Sequence, residues 1–96
     1  MPYVLCKVDE GLRPSEVTVE LRGIGDRFEF LRVDREFVKK IGDSFYLPVG
    51  LIFKNRVDNQ EIALIELPHE ADSGANRLWV ALSALKEDAP LPEVPA

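Results

Sequence analysis

Apolar and polar positions alternate along most of this chain, and no long stretch repeats at helical spacing. In residues 17–22, Val17, Val19 and Leu21 alternate with Thr18, Glu20 and Arg22, which is the pattern of a half-buried strand. Residues 3–8, YVLCKV, read as an earlier strand, and GLRPSE between the two supplies the Gly, Pro and Ser that interrupt strands. After GIGD comes RFEFLRV. Gly25-Asp26 predicts a two-residue hairpin turn, which sets Arg22 opposite Glu29 and Leu21 opposite Phe30. Phe28 and Phe30 then share one face while Leu31 and Val33 share the other. That slip of phase predicts a bulge or bend near Phe30 and Leu31.

Residues 34–40, DREFVKK, fit either one helical turn with Asp34 as N-cap or a short strand. Next, Phe45, Leu47, Val49, Leu51 and Phe53 make an unbroken odd-numbered apolar face. Pro48 cannot donate to a ladder and Gly50 favours a kink, so 45–53 is expected as one bent strand or two in sequence. A turn at Asp58-Asn59 would set Arg56 opposite Glu61, Phe53 opposite Leu64 and Ile52 opposite Ile65. The run EIALIEL is apolar on both faces, as a central, doubly covered strand would be. RLWVAL is the last strand, and SALKE, 83–87, reads as a helical turn capped by Ser83.

Short strands at regular spacing, joined mainly by tight turns, predict a mainly β fold. The expectation is a small, strongly bent antiparallel barrel of five to six strands with one or two short helical turns. The closing pattern, a strand and then a helical turn, resembles the end of an SH3-like barrel across residues 17–87. Such barrels host peptide binders, RNA binders and structural modules, so the resemblance implies a fold and no single function. Residues 1–87 are read as the domain. The tail 88–96, DAPLPEVPA, is proline-rich and expected to be extended.

With 96 residues the chain has room for one domain with a modest core. Hydrophobic residues make up 46% and charged residues 30%, which is a globular composition. The net charge of −5 disfavours general nucleic-acid binding, which draws most of its affinity from phosphate neutralisation. One cysteine, Cys6, allows no internal disulfide, and its apolar run predicts a small buried hydrophobe. Neither a signal peptide nor a membrane-spanning run is visible, so a cytoplasmic location is the default expectation.

Candidate chemistry gathers in LPHEADSGANRLWV, residues 67–80, which holds the single histidine and the single tryptophan. His69, Glu70 and Asp72 are metal-ligand types, but they sit in one loop with no matching set elsewhere. Ser73 and Asp72 near His69, or Cys6 with His69, lack a recognisable nucleophile motif. No cofactor and no metal is therefore assigned. GIG at 23–25 leads into a strand and lacks the helix N-terminus that cradles phosphate. Arg22, Arg27, Arg32, Arg35, Lys39 and Lys40 interleave with Phe28, Phe30 and Phe37, which suggests a single-stranded nucleic-acid strip. Acidic residues interleave too, and the phenylalanines are expected in the core.

Trp79 stands opposite Leu78, Val80 and Leu82 in its strand, so it points away from the core they line. A large aromatic there is either covered by another segment, such as the first strand or the tail, or is a contact surface. The sequence reading is a non-enzymatic adaptor that binds a protein or peptide through Trp79, Tyr46, Arg77, His69 and Asp72. Its alternatives are the nucleic-acid strip and a metal-dependent or hydrolytic site at His69. A monomer or weak homodimer is expected, the latter through an edge strand at residues 3–8.

Overall fold

The computed structural model describes residues 2–11 and 13–87. The tail 88–96, and the extended conformation expected there, lie outside the described residues. The strands are β1 (Tyr3–Glu10), β2 (Glu16–Arg22), β3 (Phe28–Asp34), β4 (Lys39–Ile41), β5 (Ser44–Pro48), β6 (Gly50–Val57), β7 (Gln60–Glu66), β8 (Arg77–Ala81) and β9 (Leu85–Lys86). Single 3-10 turns occupy Arg35–Phe37 and Leu82–Ala84.

One sheet runs β3-β2-β1-β5-β4, with β9 also paired to β1, and the other runs β6-β7-β8. The mainly β expectation holds, but among the described residues the ladders form two sheets and close no barrel. The break falls where Pro48 and Gly50 predicted it. β5 ends at Pro48, Val49 donates its N–H to Pro2 O, and β6 begins in the other sheet. The core lies between the inner faces, with Val4, Val19, Leu21, Leu31 and Leu47 on one side and Ala63, Ile65 and Val80 on the other. β7 is central and buries Ile62, Ala63 and Ile65, but the doubly covered expectation holds only in part, since Leu64 stays half-buried on the outer face.

Two hairpins give opposite lessons. At Asp58-Asn59 both residues have positive φ, 51° and 65°, which is a type I′ turn. Arg56 faces Glu61 and Phe53 faces Leu64 as expected. A bulge at Ile52 then shifts the ladder, so that Leu51, and not Ile52, faces Ile65. At the β2–β3 hairpin Gly23 donates its N–H to Arg27 O and three residues form the loop. The register is one step from the expected one: Leu21 faces Glu29 and Arg22 faces Phe28.

The consequence reaches all of β3. It keeps strict alternation, with no bulge at Phe30 and Leu31, and turns Glu29, Leu31 and Val33 inward. Phe28 and Phe30, expected in the core, are 43% and 42% exposed on the outer face, and Phe37 is exposed as well. Burying Leu31 and Val33 in a regular ladder requires burying Glu29 as well, and that carboxylate finds partners elsewhere in the chain.

Three smaller expectations also change. β1 is not a simple edge strand: Tyr3–Cys6 pair with β5 and Lys7–Glu10 pair with β2. Residues 34–41 combine both readings, a 3-10 turn followed by β4, and Asp34 stands at the N-cap without a side-chain cap bond. Ser83 lies within the second turn, whose N-cap is Ala81. Among the described residues no helix is long and apolar enough to cross a membrane.

Candidate functional site

The loop from Leu67 to Asn76 closes on itself and onto β3. Leu67 N–H donates to Asn76 O, Ala71 N–H to Ala75 O, and Gly74 N–H to Ala71 O. From this base Asp72 N–H reaches Phe30 O at 2.8 Å. His69 Nε2 lies 2.7 Å from Arg32 O, and its Nδ1 lies 2.9 Å from Glu70 O. Two carbonyls on the outer edge of β3 are thereby occupied. Ser73 Oγ donates to Glu29 Oε1 at 2.6 Å, while Arg27 Nε donates to Oε2 at 3.3 Å. Glu29 is only 3% exposed, and these two donors are what make its burial tolerable.

The loop is therefore a cover for a sheet edge. Arg13, Glu16, Arg32, His69, Glu70 and Asp72 line an open cleft beside it. Both imidazole nitrogens face backbone carbonyls, so neither is directed into that cleft as a ligand. Among the described residues no three His, Cys, Asp or Glu side chains gather in a metal-holding group. Cys6 is buried, and burial pushes its thiol up to about 12, so it carries no thiolate at neutral pH.

The five residues assigned to one partner surface fall in three places. His69 and Asp72 lie at the β3 edge. Tyr46 lies on β5 between Leu5 and Lys39, with Lys86 Nζ 5.6 Å from its ring centroid. Trp79 and Arg77 lie together on the outer face of β6-β7-β8, lining a cleft with Ile24, Val57 and Ile62.

That outer face is built by register. Phe53 faces Leu64 and Leu64 faces Trp79, so three large apolar side chains form one row across the sheet. The Trp79 and Phe53 rings meet edge to face at 6.3 Å and 84°. Trp79 and Leu64 are half-buried, and Phe53 is 55% exposed. The row lies on the sheet's far side from β1, so the first strand does not cover Trp79. Phe53 is the residue that sequence reasoning misplaced, since it looked like the end of a core face. The type I′ hairpin signal already set it opposite Leu64. What was missing was the β7–β8 register that brings Trp79 alongside.

The basic strip is dispersed. Arg22 pairs with Asp26, Arg27 with Glu29 and Arg35 with Glu10, while Lys39 lies against Tyr3 and Lys40 against Phe45. No family model, curated protein or solved structure matches the chain.

Proposed function

We propose that this is a non-enzymatic binding module that holds a protein or peptide partner on the outer face of β6-β7-β8. The observation that supports it is the row Phe53–Leu64–Trp79, three large apolar side chains on an outward face with Arg77 beside them. Aromatic and arginine side chains of this kind anchor interfaces: the aromatics offer large contact area at low entropic cost, and arginine adds a planar set of charged donors. The remaining SH3-like feature is the ending, strand then 3-10 turn then short strand, and the SH3-like assignment belongs to this proposal.

The test is capture from source-cell lysate on immobilised protein. Trp79→Ala is expected to lose a partner that Tyr46→Ala retains. Equal capture by wild type and Trp79→Ala contradicts the proposal. Trp79 emission should also respond to the captured partner.

A second reading has one specific observation behind it. Phe28 and Phe30 point outward, and the Arg22 guanidinium stands 5.8 Å from the Phe28 ring centroid, a geometry that suits stacked bases. Glu20 lies directly opposite Phe30 in the ladder, and three of the six basic residues of the strip are already paired to carboxylates. The first reading is therefore preferred. Retention on single-stranded RNA that weakens steeply with salt would reverse that preference. A reaction centred on His69 gains no support from the geometry of its ring.

A further inference from the structure

Among the described residues the ladders give five edge strands, β3, β4, β9, β6 and β8, and four of them are short or protected; β9 is only two residues long. β3 carries the 67–76 loop on its carbonyls. β8 receives the Ile24 N–H on Trp79 O at 2.9 Å. β4 is only three residues long and carries two lysines. The eight-residue β6 is the exception. Among the described residues no backbone group outside its own hairpin bonds to it.

The ladder fixes which groups are bare. Val57 and Gln60 flank the two-residue turn, so Val57, Asn55 and Phe53 direct their backbone groups to β7. Lys54 and Arg56 direct theirs outward. The Arg56 N–H donates to Oδ1 of its own neighbour Asn55 at 2.8 Å. A side-chain carbonyl stands where the carbonyl of an added strand would arrive.

Side chains specify what that strand carries. Lys54 and Arg56 share one face of β6, Phe53 and Val57 share the other, and the strand contains no acid. A second copy paired here would set Lys54 and Arg56 against their own equivalents, which is repulsive. Carboxylates fit instead: Arg56 already meets Glu61 at 2.9 Å and Lys54 meets Glu87 at 3.4 Å, each from one side, and both cations stay more than half exposed and so open to a second acid.

We infer that the open edge of β6 takes an extended peptide of alternating acidic and apolar residues as the fourth strand of its sheet. The acids lie beside Lys54 and Arg56, and the apolar side chains extend the row that begins at Phe53. Backbone pairing supplies the affinity and the alternation supplies the specificity. This rests on the proposed function and adds the partner's conformation and chemistry.

The probe is a blocked ten-residue peptide of alternating Val and Glu, titrated into the isotopically labelled full-length chain. It is expected to shift and protect the amides of Lys54 and Arg56. The Val–Lys counterpart should bind at least tenfold more weakly. N-methylation of every second residue should abolish binding in one phase and spare it in the other, because only one edge of the peptide pairs. Absence of Val–Glu binding, equal affinity in both N-methyl phases, or protection at another strand overturns the inference. Changing Leu91→Asp and Val94→Asp in the full chain should leave the affinity unchanged. A tenfold gain would mean that the chain's own tail competes for the edge, and would overturn it too. If the peptide fails while Trp79→Ala still loses its partner, the edge is wrong and the apolar face stands. If the peptide protects Lys54 while Trp79→Ala captures normally, the reverse holds.

Discussion

β3 and β6 are both long edge strands, of seven and eight residues, and the chain treats them in opposite ways. β3 turns Leu31 and Val33 into the core and has its outer carbonyls covered by a loop that returns from nearly forty residues later in the chain. Past its first two residues, β6 is exposed along its whole length and has no cover among the described residues. An uncovered strand edge is a template for another strand, and proteins normally blunt it. Where one edge is sealed with a dedicated loop and another is left bare, the bare one is the place to look for a partner. The same contrast reassigns the polar loop. His69, Asp72 and Ser73 look like chemistry in the sequence, and in the fold they cap an edge and steady a buried carboxylate.

The contrast can be broken by comparing the two strands' side chains. Leu31 is fully buried, so Leu31→Ala should cost about 2–5 kcal/mol in urea denaturation. Phe53→Ala removes a half-exposed ring and its edge contact with Trp79, and should cost about 0.5–1.5 kcal/mol. Equal losses would mean that the outward face of β6 is core, and the proposed binding face would be lost with it.

Gly23 sharpens the contrast at β8. A Cβ there would stand 2.6 Å from Leu78 Cδ1 and 2.9 Å from Trp79 O, because the β2–β3 hairpin lies directly against β8. Gly23→Ala should cost about 1–3 kcal/mol as the hairpin is forced outward. It should also free the Ile24 amide for exchange, and an unchanged Ile24 amide would contradict the sealed edge. Ser73→Ala removes one of the two donors to buried Glu29 and should cost about 1–3 kcal/mol by the same denaturation measurement. A loss below about half a kcal/mol would mean that the loop does not hold Glu29 in place.

The smallest effect is at Glu10. The hydrogen bond from Arg35, and then its charge, hold the Glu10 carboxyl below the usual carboxylate range. The native state therefore takes up this proton less readily than the unfolded chain. The contribution is complete above the ordinary carboxylate range and is lost as pH falls through the lowered native value. Glu10 is exposed and Arg35 about half so, which leaves the pair open to solvent screening; the stability gap between wild type and Glu10→Gln should be slight at neutral pH and should close on acidification. A gap that widens on acidification would contradict the sign.

Much of this was legible in the sequence because it is local. Asp58-Asn59 supplies its own turn chemistry, and from that turn the β6–β7 register follows as far as Phe53. Alternation gave β2 and the outward direction of Trp79. What failed was non-local. Glu29 shares the inward face of Leu31 and Val33, and its burial is tolerated through Ser73, forty-four positions later, and Arg27, so alternation read as a slip of phase what is a regular strand with an inward carboxylate. β1 looked like an edge because nothing in YVLCKV shows that β2, β5 and β9 all pair with it. The Ile52 bulge carries no turn residue to announce it. The proposed partner surface was half legible. Trp79 and Arg77 stood out in the sequence, but Phe53 and the bare edge depend on which strand lies beside which.

The most direct test of the two-edge account is amide hydrogen exchange on the free, full-length protein, comparing Asp72 with Lys54. The Asp72 N–H is bonded across to β3, and the Lys54 N–H points out from β6 with no backbone partner among the described residues. The account predicts that Asp72 exchanges at least tenfold more slowly than its unprotected rate, while Lys54 exchanges near its own. A protected Lys54 beside a freely exchanging Asp72 would contradict it: the covered and open edges would have been exchanged, and β6 would offer no place for a partner strand.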